Sequence, residues 1–141
     1  MQRYFKLLAT IMFISLINSC DTTNSEGPDT NDDRDKYVGT WLFAESSSSR
    51  GPNSTYTAVI SKDPSNSSQV LISNFTGFGS GSSDASGIVT SSSISVTQQN
   101  IATDYVVEGF GSLSTSSKMN WTYSVTAGGT KDVYTAIATK Q

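Results

Sequence analysis

The chain has 141 residues, which suits one domain, and its 9 basic and 12 acidic residues give a formal net charge of −3. That charge argues against a nucleic-acid-binding protein, because such proteins usually present a basic face to the phosphates. The chain has no His and one Cys, which excludes His-dependent nucleophiles, an intramolecular disulfide and multi-thiolate metal clusters. We therefore expect no enzymatic activity, no cofactor and no metal site.

Residues 1–19 are predicted to be a signal peptide. Arg3 and Lys6 precede an apolar run over residues 7–17, which is too short to span a bilayer. The run leads into Leu16-Ile17-Asn18-Ser19-Cys20, which resembles the lipobox of bacterial lipoproteins. The resemblance implies that Cys20 becomes acylated and anchors the protein to a membrane of the bacterial cell envelope, with the outer membrane or the cell surface favoured. The alternative is a plain secretory signal in which the Cys is coincidental.

Residues 20–34 are predicted to form the acylated Cys and a disordered acidic linker. The segment after Cys20 contains five acids and one base but no aromatic or β-branched aliphatic residue. Such a segment cannot bury enough apolar surface to offset the chain entropy lost on folding. The folded domain is therefore expected over residues 35–141.

From residue 35 onward, the sequence predicts β-strands and no substantial helix. The clearest strand is 118–126, in which Met119, Trp121, Tyr123 and Val125 alternate with polar residues, as in an antiparallel strand with one buried face. Seven further strands are predicted at 37–45, 55–62, 69–75, 87–90, 93–98, 104–114 and 133–140.

Short turn sequences separate these strands. Asp63-Pro64-Ser65-Asn66 suits a type I turn, and Gly128 and Gly129 supply the positive φ of a tight hairpin. Because the connections are short, each strand should pair with the next in an up-and-down meander. An open sheet would expose two edges to aggregation, so we predict that the eight antiparallel strands close into a barrel.

Gly39-Thr40-Trp41 lies on the first predicted strand of this meander. In that position it resembles the G-x-W signature of the lipocalin/calycin superfamily, and the domain resembles the small lipocalin-like lipoproteins of Bacteroidetes-type bacteria. The resemblance implies that Gly39 and Trp41 belong to a plug at one end of the barrel, with a basic residue of the last strand packed across the Trp ring. Lys140 is the basic residue of the last strand that matches this position.

Fourteen side chains are predicted to point into the barrel, and most of them are expected to be core. Gly109 and Gly111 are in phase with them and are expected to leave gaps on the inner face. Tyr56, Tyr105, Tyr123 and Tyr134, together with Trp121, are the candidate lining of a ligand site, because phenol hydroxyls can orient a partly polar ligand. The inward set is Trp41, Phe43, Tyr56, Ile60, Val70, Ile72, Ile94, Val96, Tyr105, Val107, Leu113, Met119, Trp121 and Tyr123.

Two functions remain open. The first is a membrane-anchored lipocalin-like lipoprotein that binds a small, largely apolar ligand in the barrel. The second is a structural or interaction lipoprotein with a filled barrel, whose loops contact protein or glycan.

The Gly-rich segment 76–87 is predicted to be a flexible loop at the barrel mouth. Asp104 and Glu108 share a strand face opposite to the inward set, so they are expected to be solvated rather than a catalytic pair.

Overall fold

The computed structural model describes residues 32–47 and 54–141, which form eight strands and two short 3₁₀ helices. The signal peptide, Cys20 and most of the predicted linker lie outside the described residues. None of the helices in the described part of the chain is long and apolar enough to cross a membrane. The strands are β1 Gly39–Ser47, β2 Ser54–Lys62, β3 Gln69–Ser73, β4 Ala85–Val89, β5 Ser93–Ala102, β6 Tyr105–Thr115, β7 Lys118–Ala127 and β8 Thr130–Lys140, and the 3₁₀ helices are Asp33–Lys36 and Phe75–Gly77.

The eight strands form a closed barrel in sequence order. Every neighbouring pair is antiparallel, and β1 closes the barrel by pairing with β8 from Trp41 opposite Lys140 to Ser47 opposite Tyr134. The predicted all-β fold, an eight-stranded antiparallel up-and-down barrel, is therefore confirmed. A barrel of this size is just wide enough for its own side chains to fill it or for one small ligand to enter.

Two ends of the barrel are distinguished below. The closed end is the end at which β1 begins and β8 ends, and the mouth is the end at which β1 ends and β8 begins. The first 3₁₀ helix lies at the closed end, where the Arg34 guanidinium donates to the carbonyls of Asp63 at 3.2 Å and Asn66 at 3.0 Å. Lys36 Nζ donates to the Ser91 carbonyl at 2.7 Å. Residues 32–34, which were assigned to the linker, therefore pack on the barrel.

Large and small side chains alternate around the inner wall. The odd-numbered strands carry large residues at mid-height, such as Trp41, Phe43 and Trp121, whereas the even-numbered strands carry Ala or Gly there, as at Ala58 and Gly111. This alternation lets rings from one set of strands fill the space over the other set. All fourteen residues of the predicted inward set lie in the core or pack against it. The core also contains Tyr37, Ala58, Phe75, Ala85, Ile101, Ala136 and Ala138.

Some strand limits differ from the predicted ones, for local reasons. β3 stops at Ser73 because Asn74 takes the left-handed conformation, with φ of 56°, and starts the second 3₁₀ helix. β5 continues to Ala102, past the predicted end at 98, through register shifts that interrupt its alternation. These shifts carry Ile101 into the core on a strand where Val96 is also buried, although the offset between positions 96 and 101 is odd and would place the two on opposite faces of a regular strand.

Candidate ligand site at the barrel mouth

The three residues of the predicted plug lie together at the closed end. Trp41 is fully buried, and its Nε1 donates to the Tyr37 carbonyl at 2.6 Å. Lys140 Nζ lies 5.5 Å from the centroid of the Trp41 ring, a cation–π distance, and donates to the Lys36 carbonyl at 3.2 Å. Gly39 has φ of +133°, and a Cβ there would stand 3.0 Å from Lys140 Cε. This arrangement fills the closed end of the barrel with paired groups.

An ionic cluster surrounds the plug on the outside. Asp32 accepts from Arg34 at 2.8 Å and from Lys62 Nζ at 2.9 Å, and Lys62 also contacts Asp35 at 2.7 Å. The hydrogen bonds from Arg34 and then Lys62 hold the pKa of Asp32 well below its usual range. Burial raises the pKa of the neighbouring Tyr37 to about 12, with a smaller contribution from Asp33. Charges at this end are thus balanced by partners within the chain.

The mouth contains a chain of hydrogen bonds that crosses the interior. The Tyr123 hydroxyl donates to the Glu45 carboxylate, and the Tyr56 hydroxyl lies 3.0 Å from the Tyr123 hydroxyl. The Tyr134 ring stacks on the Tyr123 ring, with 5.5 Å between centroids. Three of the four predicted tyrosines therefore form one group around Glu45, a residue that the sequence analysis did not select.

The fourth predicted tyrosine belongs to a different contact. Tyr105 lies at the start of β6, and its ring meets Phe78 edge to face at 4.4 Å between centroids. Phe78 is 37% exposed and comes from the loop between β3 and β4. Tyr105 therefore packs under this loop instead of joining the tyrosines around Glu45.

A layer of aromatic rings lies directly below the tyrosines. Phe43 stacks on Tyr56 at 5.0 Å, and Phe75 contacts both Trp121 at 5.4 Å and Tyr123 at 5.2 Å. Phe75 is fully buried although it lies outside the strands, on the second 3₁₀ helix. Of the rings named here, it alone lies outside the strand ladder.

Trp121 has a buried donor without an acceptor. The residue is 2% exposed, and its Nε1 has no hydrogen-bond partner among the described residues. Leaving such a group unpaired costs about 1–3 kcal/mol. Of the two tryptophans in the barrel, only Trp41 therefore has an acceptor for its N–H among the described residues. An acceptor atom of a ligand would satisfy Trp121.

The gaps predicted at Gly109 and Gly111 are absent, and this part of the sequence interpretation was wrong. A Cβ on Gly111 would lie 2.3 Å from the Trp121 ring, and one on Gly109 would lie 2.5 Å from Tyr123 Cβ. Both glycines are paired across the β6–β7 ladder with these same residues. They accommodate the two rings and leave no free space on the inner face.

The connection between β3 and β4 covers the mouth beside Tyr56. Asn74 Nδ2 donates to the Thr57 carbonyl at 2.8 Å, and Asn74 Oδ1 accepts from the Gly79 amide at 2.7 Å. Gly77 has φ of +70°, and a Cβ there would stand 3.0 Å from the Tyr56 ring. The loop predicted over 76–87 is therefore shorter, since β4 begins at Ala85, and its first turn is held against β2.

The surroundings of the tyrosines at the mouth raise their pKa values, mainly through burial. Burial raises the pKa of Tyr123 far above its usual value, with further contributions from Tyr56 and Glu45. Burial is also the main cause of the raised pKa of Tyr56, to which Glu45 adds. The pKa of Tyr134 is raised by burial and then by Asp132 and Glu45. These phenols therefore stay neutral, so they can donate hydrogen bonds and present ring faces.

Asp104 and Glu108 lie in different surroundings on the outside of the barrel. Glu108 pairs with Lys131 and accepts from Ser124 Oγ at 3.3 Å, while Asp104 lies in the turn between β5 and β6 with φ of 61°. Among residues 32–47 and 54–141, no three His, Cys, Asp or Glu side chains are grouped to hold a metal ion.

The sequence matches no protein-family model and no curated protein. The solved structures that share the fold include the following two. One is a redesigned beta barrel, b11L5F_LGL, with a TM-score of 0.54 and 12% identity over 79% of this chain and 97% of that chain. The other is EF1p2_mFAP2b bound to DFHBI, with a TM-score of 0.52 and 12% identity over 79% of this chain and 100% of that chain. At this identity the likeness shows the fold alone, a small closed β-barrel.

Proposed function

We propose that the protein is a membrane-anchored, lipocalin-like lipoprotein that binds a small, largely apolar ligand through the mouth of its barrel. The observation that carries the proposal is the Trp121 N–H, which is buried without an acceptor among the described residues, in contact with a group of aromatic rings. Tyr56, Tyr123, Tyr134 and Glu45 supply polar groups at the outer side of these rings. A mostly apolar pocket with a few convergent polar groups is the usual form of a small-molecule site.

The proposed anchor is consistent with a mouth that faces away from the membrane. The chain enters the barrel at Asp32, whose ionic partners lie at the closed end. A lipid on Cys20 would tether that end through the acidic segment, and several acyl chains would hold it firmly, at about 0.8 kcal/mol for each buried CH₂. Replacing Cys20 with Ser should abolish labelling by radioactive palmitate and move the protein from the membrane to the soluble fraction. Unchanged labelling would contradict the anchor.

Entry to the site requires the displacement of Phe75. This ring covers Trp121 and Tyr123 from a short 3₁₀ helix, flanked by Asn74 and Thr76 at φ of 56° and 69°. Segments outside the strand ladder open at lower free energy than the ladder itself. EF1p2_mFAP2b, which was solved bound to DFHBI, supports the idea that a barrel of this size can hold a small molecule.

The binding test uses the neutral dye N-phenyl-1-naphthylamine and a Trp41→Phe variant in which Trp121 is the only indole. We expect saturable quenching of Trp121 emission, matched by a rise in dye emission, and faster binding in Phe75→Ala. Phe110→Ser is the control, because Phe110 is 51% exposed on the outer wall and offers an adventitious dye site. Non-saturable quenching, or loss of the signal in Phe110→Ser, would contradict binding at the mouth.

The alternative is a structural or interaction lipoprotein that contacts protein or glycan. Phe110 and Ile137 are 51% and 53% exposed on the outer wall, and each borders a shallow groove, of about 400 Å³ and 430 Å³ respectively. Exposed apolar residues next to grooves favour contacts with a macromolecule. In that case, Phe110→Ser and Ile137→Ser would weaken attachment of the protein to its partner surface, and the dye would leave Trp121 unquenched.

A further inference from the structure

The ionisable residues of the described barrel are divided unequally between its two ends. Counted over residues 32–47 and 54–141, the closed end carries five basic and four acidic side chains, a charge of +1, whereas the mouth and the adjoining wall carry five acids and one Lys, a charge of −4. The mouth set is Glu45, Asp84, Asp104, Glu108, Asp132 and Lys131. A cleft bordered by one sign of charge raises the local concentration of ligands of the opposite sign.

Two of these carboxylates occupy inward positions. Glu45 continues the buried alternation of Trp41 and Phe43 on β1, and Asp132 is in phase with Tyr134 and Ala136 on β8. Glu45 accepts from Tyr123 and Ser54, and it forms no ion pair with a Lys or Arg of the described residues. A carboxylate has about four lone-pair positions, so Glu45 keeps capacity for a further partner.

Tyrosine side chains lie next to this negative charge, and the Tyr123 hydroxyl donates to it. The rings of Tyr56, Tyr123 and Tyr134 lie at the mouth, and the last two are stacked on each other. Aromatic faces next to a carboxylate are the arrangement by which proteins recognise ammonium and quaternary ammonium groups, because the ring quadrupole and the charge attract the same cation. An anionic ligand would meet repulsion from Glu45.

Building on the proposed binding function, we infer that the ligand carries a cationic nitrogen at its outer end, next to Glu45 and the tyrosines. Trp121 adds a second requirement, since its N–H has no partner among the described residues and needs an acceptor deeper in the barrel. Trp121 precedes Tyr123 by two residues on β7, which corresponds to about 6–7 Å along a strand. The ligand class is therefore an apolar or aromatic amine with an oxygen acceptor at about that distance from the nitrogen.

The test compares three molecules of similar shape. The probe is 4-methoxybenzyltrimethylammonium, its uncharged isostere is 1-methoxy-4-neopentylbenzene, and its anionic counterpart is 4-methoxyphenylacetate. NMR titration of the full folded domain follows the indole N–H resonances of Trp41 and Trp121 and the tyrosine ring signals. We expect the cation to bind about tenfold more tightly than the isostere, to shift the Trp121 resonance and not that of Trp41, and to weaken as salt is added.

Variants separate the charge effect from a loss of folding. Glu45→Gln should weaken binding of the cation about tenfold and leave the isostere within about twofold, because the shape of the side chain is kept. Glu108→Gln is the matched control, since Glu108 lies on the outer wall in an ion pair with Lys131. Native-like spectra of both variants establish that the barrel is intact.

Each outcome has one meaning. If the isostere binds as tightly as the cation, or if Glu45→Gln and Glu108→Gln behave alike, the inference about charge is wrong and the proposed binding function stands. If none of the three molecules binds and the naphthylamine dye also leaves Trp121 unquenched, the proposed function fails, and the cation inference with it.

Discussion

The two ends of the barrel differ in how the polar groups of their buried side chains are hydrogen-bonded. Each end buries one Trp from an odd-numbered strand, but Trp41 donates to the Tyr37 carbonyl, whereas Trp121 has no acceptor among the described residues. At the closed end, Arg34 and Lys62 neutralise Asp32. At the mouth, Glu45 is bonded only to neutral hydroxyls among the described residues. The comparison teaches that the closed end pairs its buried donor within the chain, while the mouth has a buried donor with no partner among the described residues, as the proposed ligand site requires.

The largest effect is expected from truncating the plug. Trp41→Ala should lower the free energy of unfolding by about 3–5 kcal/mol, because it removes a fully buried ring and leaves a cavity. Tyr134→Ala at the mouth should cost about 1 kcal/mol, because Tyr134 is only half-buried. Urea denaturation followed by far-ultraviolet circular dichroism measures both. Equal losses would show that the two ends contribute alike to stability, contrary to the comparison.

A milder substitution isolates the difference between the two indole N–H groups. Trp41→Phe removes a donor that is paired with the Tyr37 carbonyl, so it should cost about 1–3 kcal/mol beyond the change in ring size. Trp121→Phe removes a donor that is unpaired, so the relief of that group should offset much of the lost packing. Urea denaturation should therefore rank Trp121→Phe as the more stable variant. The reverse order would mean that the Trp121 N–H is satisfied in solution.

The fold could be predicted because its signals are local. Alternation on β7 and turn residues at 63–66 and 127–130 are properties of short segments, and short connections leave few topologies for eight strands. The limits of β5 were harder to predict, because its register shifts break the period of two that marks a strand face. The alternation of apolar and polar residues identifies the strand, but it does not show the register shift that turns Ile101 toward the core.

The site was predictable only in part, because it depends on contacts between distant strands. Tyr56 and Tyr123 could be predicted because every second residue of a strand faces the barrel interior. The same alternation on β1 would have selected Glu45, two residues after Phe43. Phe75 gave no such signal, because its position depends on the left-handed Asn74 that ends β3. The gaps at Gly109 and Gly111 were predicted wrongly because a glycine in the sequence does not show which ring lies across from it.

The smallest effect is expected from the ionic cluster at the closed end. The pKa of Asp32 is lower in the folded protein than in the unfolded chain, so its contribution to stability is present above about pH 4 and is lost as the pH falls further. Asp63 acts in the same direction, because hydrogen bonds from Ser65 lower its pKa. Asp32→Asn should therefore reduce the loss of stability on acidification between about pH 5 and pH 2.

Thermal unfolding at a series of pH values measures this effect, with Asp104→Asn as the control. Asp104 lies in the turn at the mouth and forms no ion pair with the described residues, and Asn accepts its positive φ of 61°. The control should keep the wild-type dependence on pH, whereas Asp32→Asn should flatten it. Because the pairs around Asp32 are near the surface, added salt should reduce the difference between the two variants. If Asp104→Asn flattened the curve as much as Asp32→Asn, acid sensitivity would not belong to the closed end.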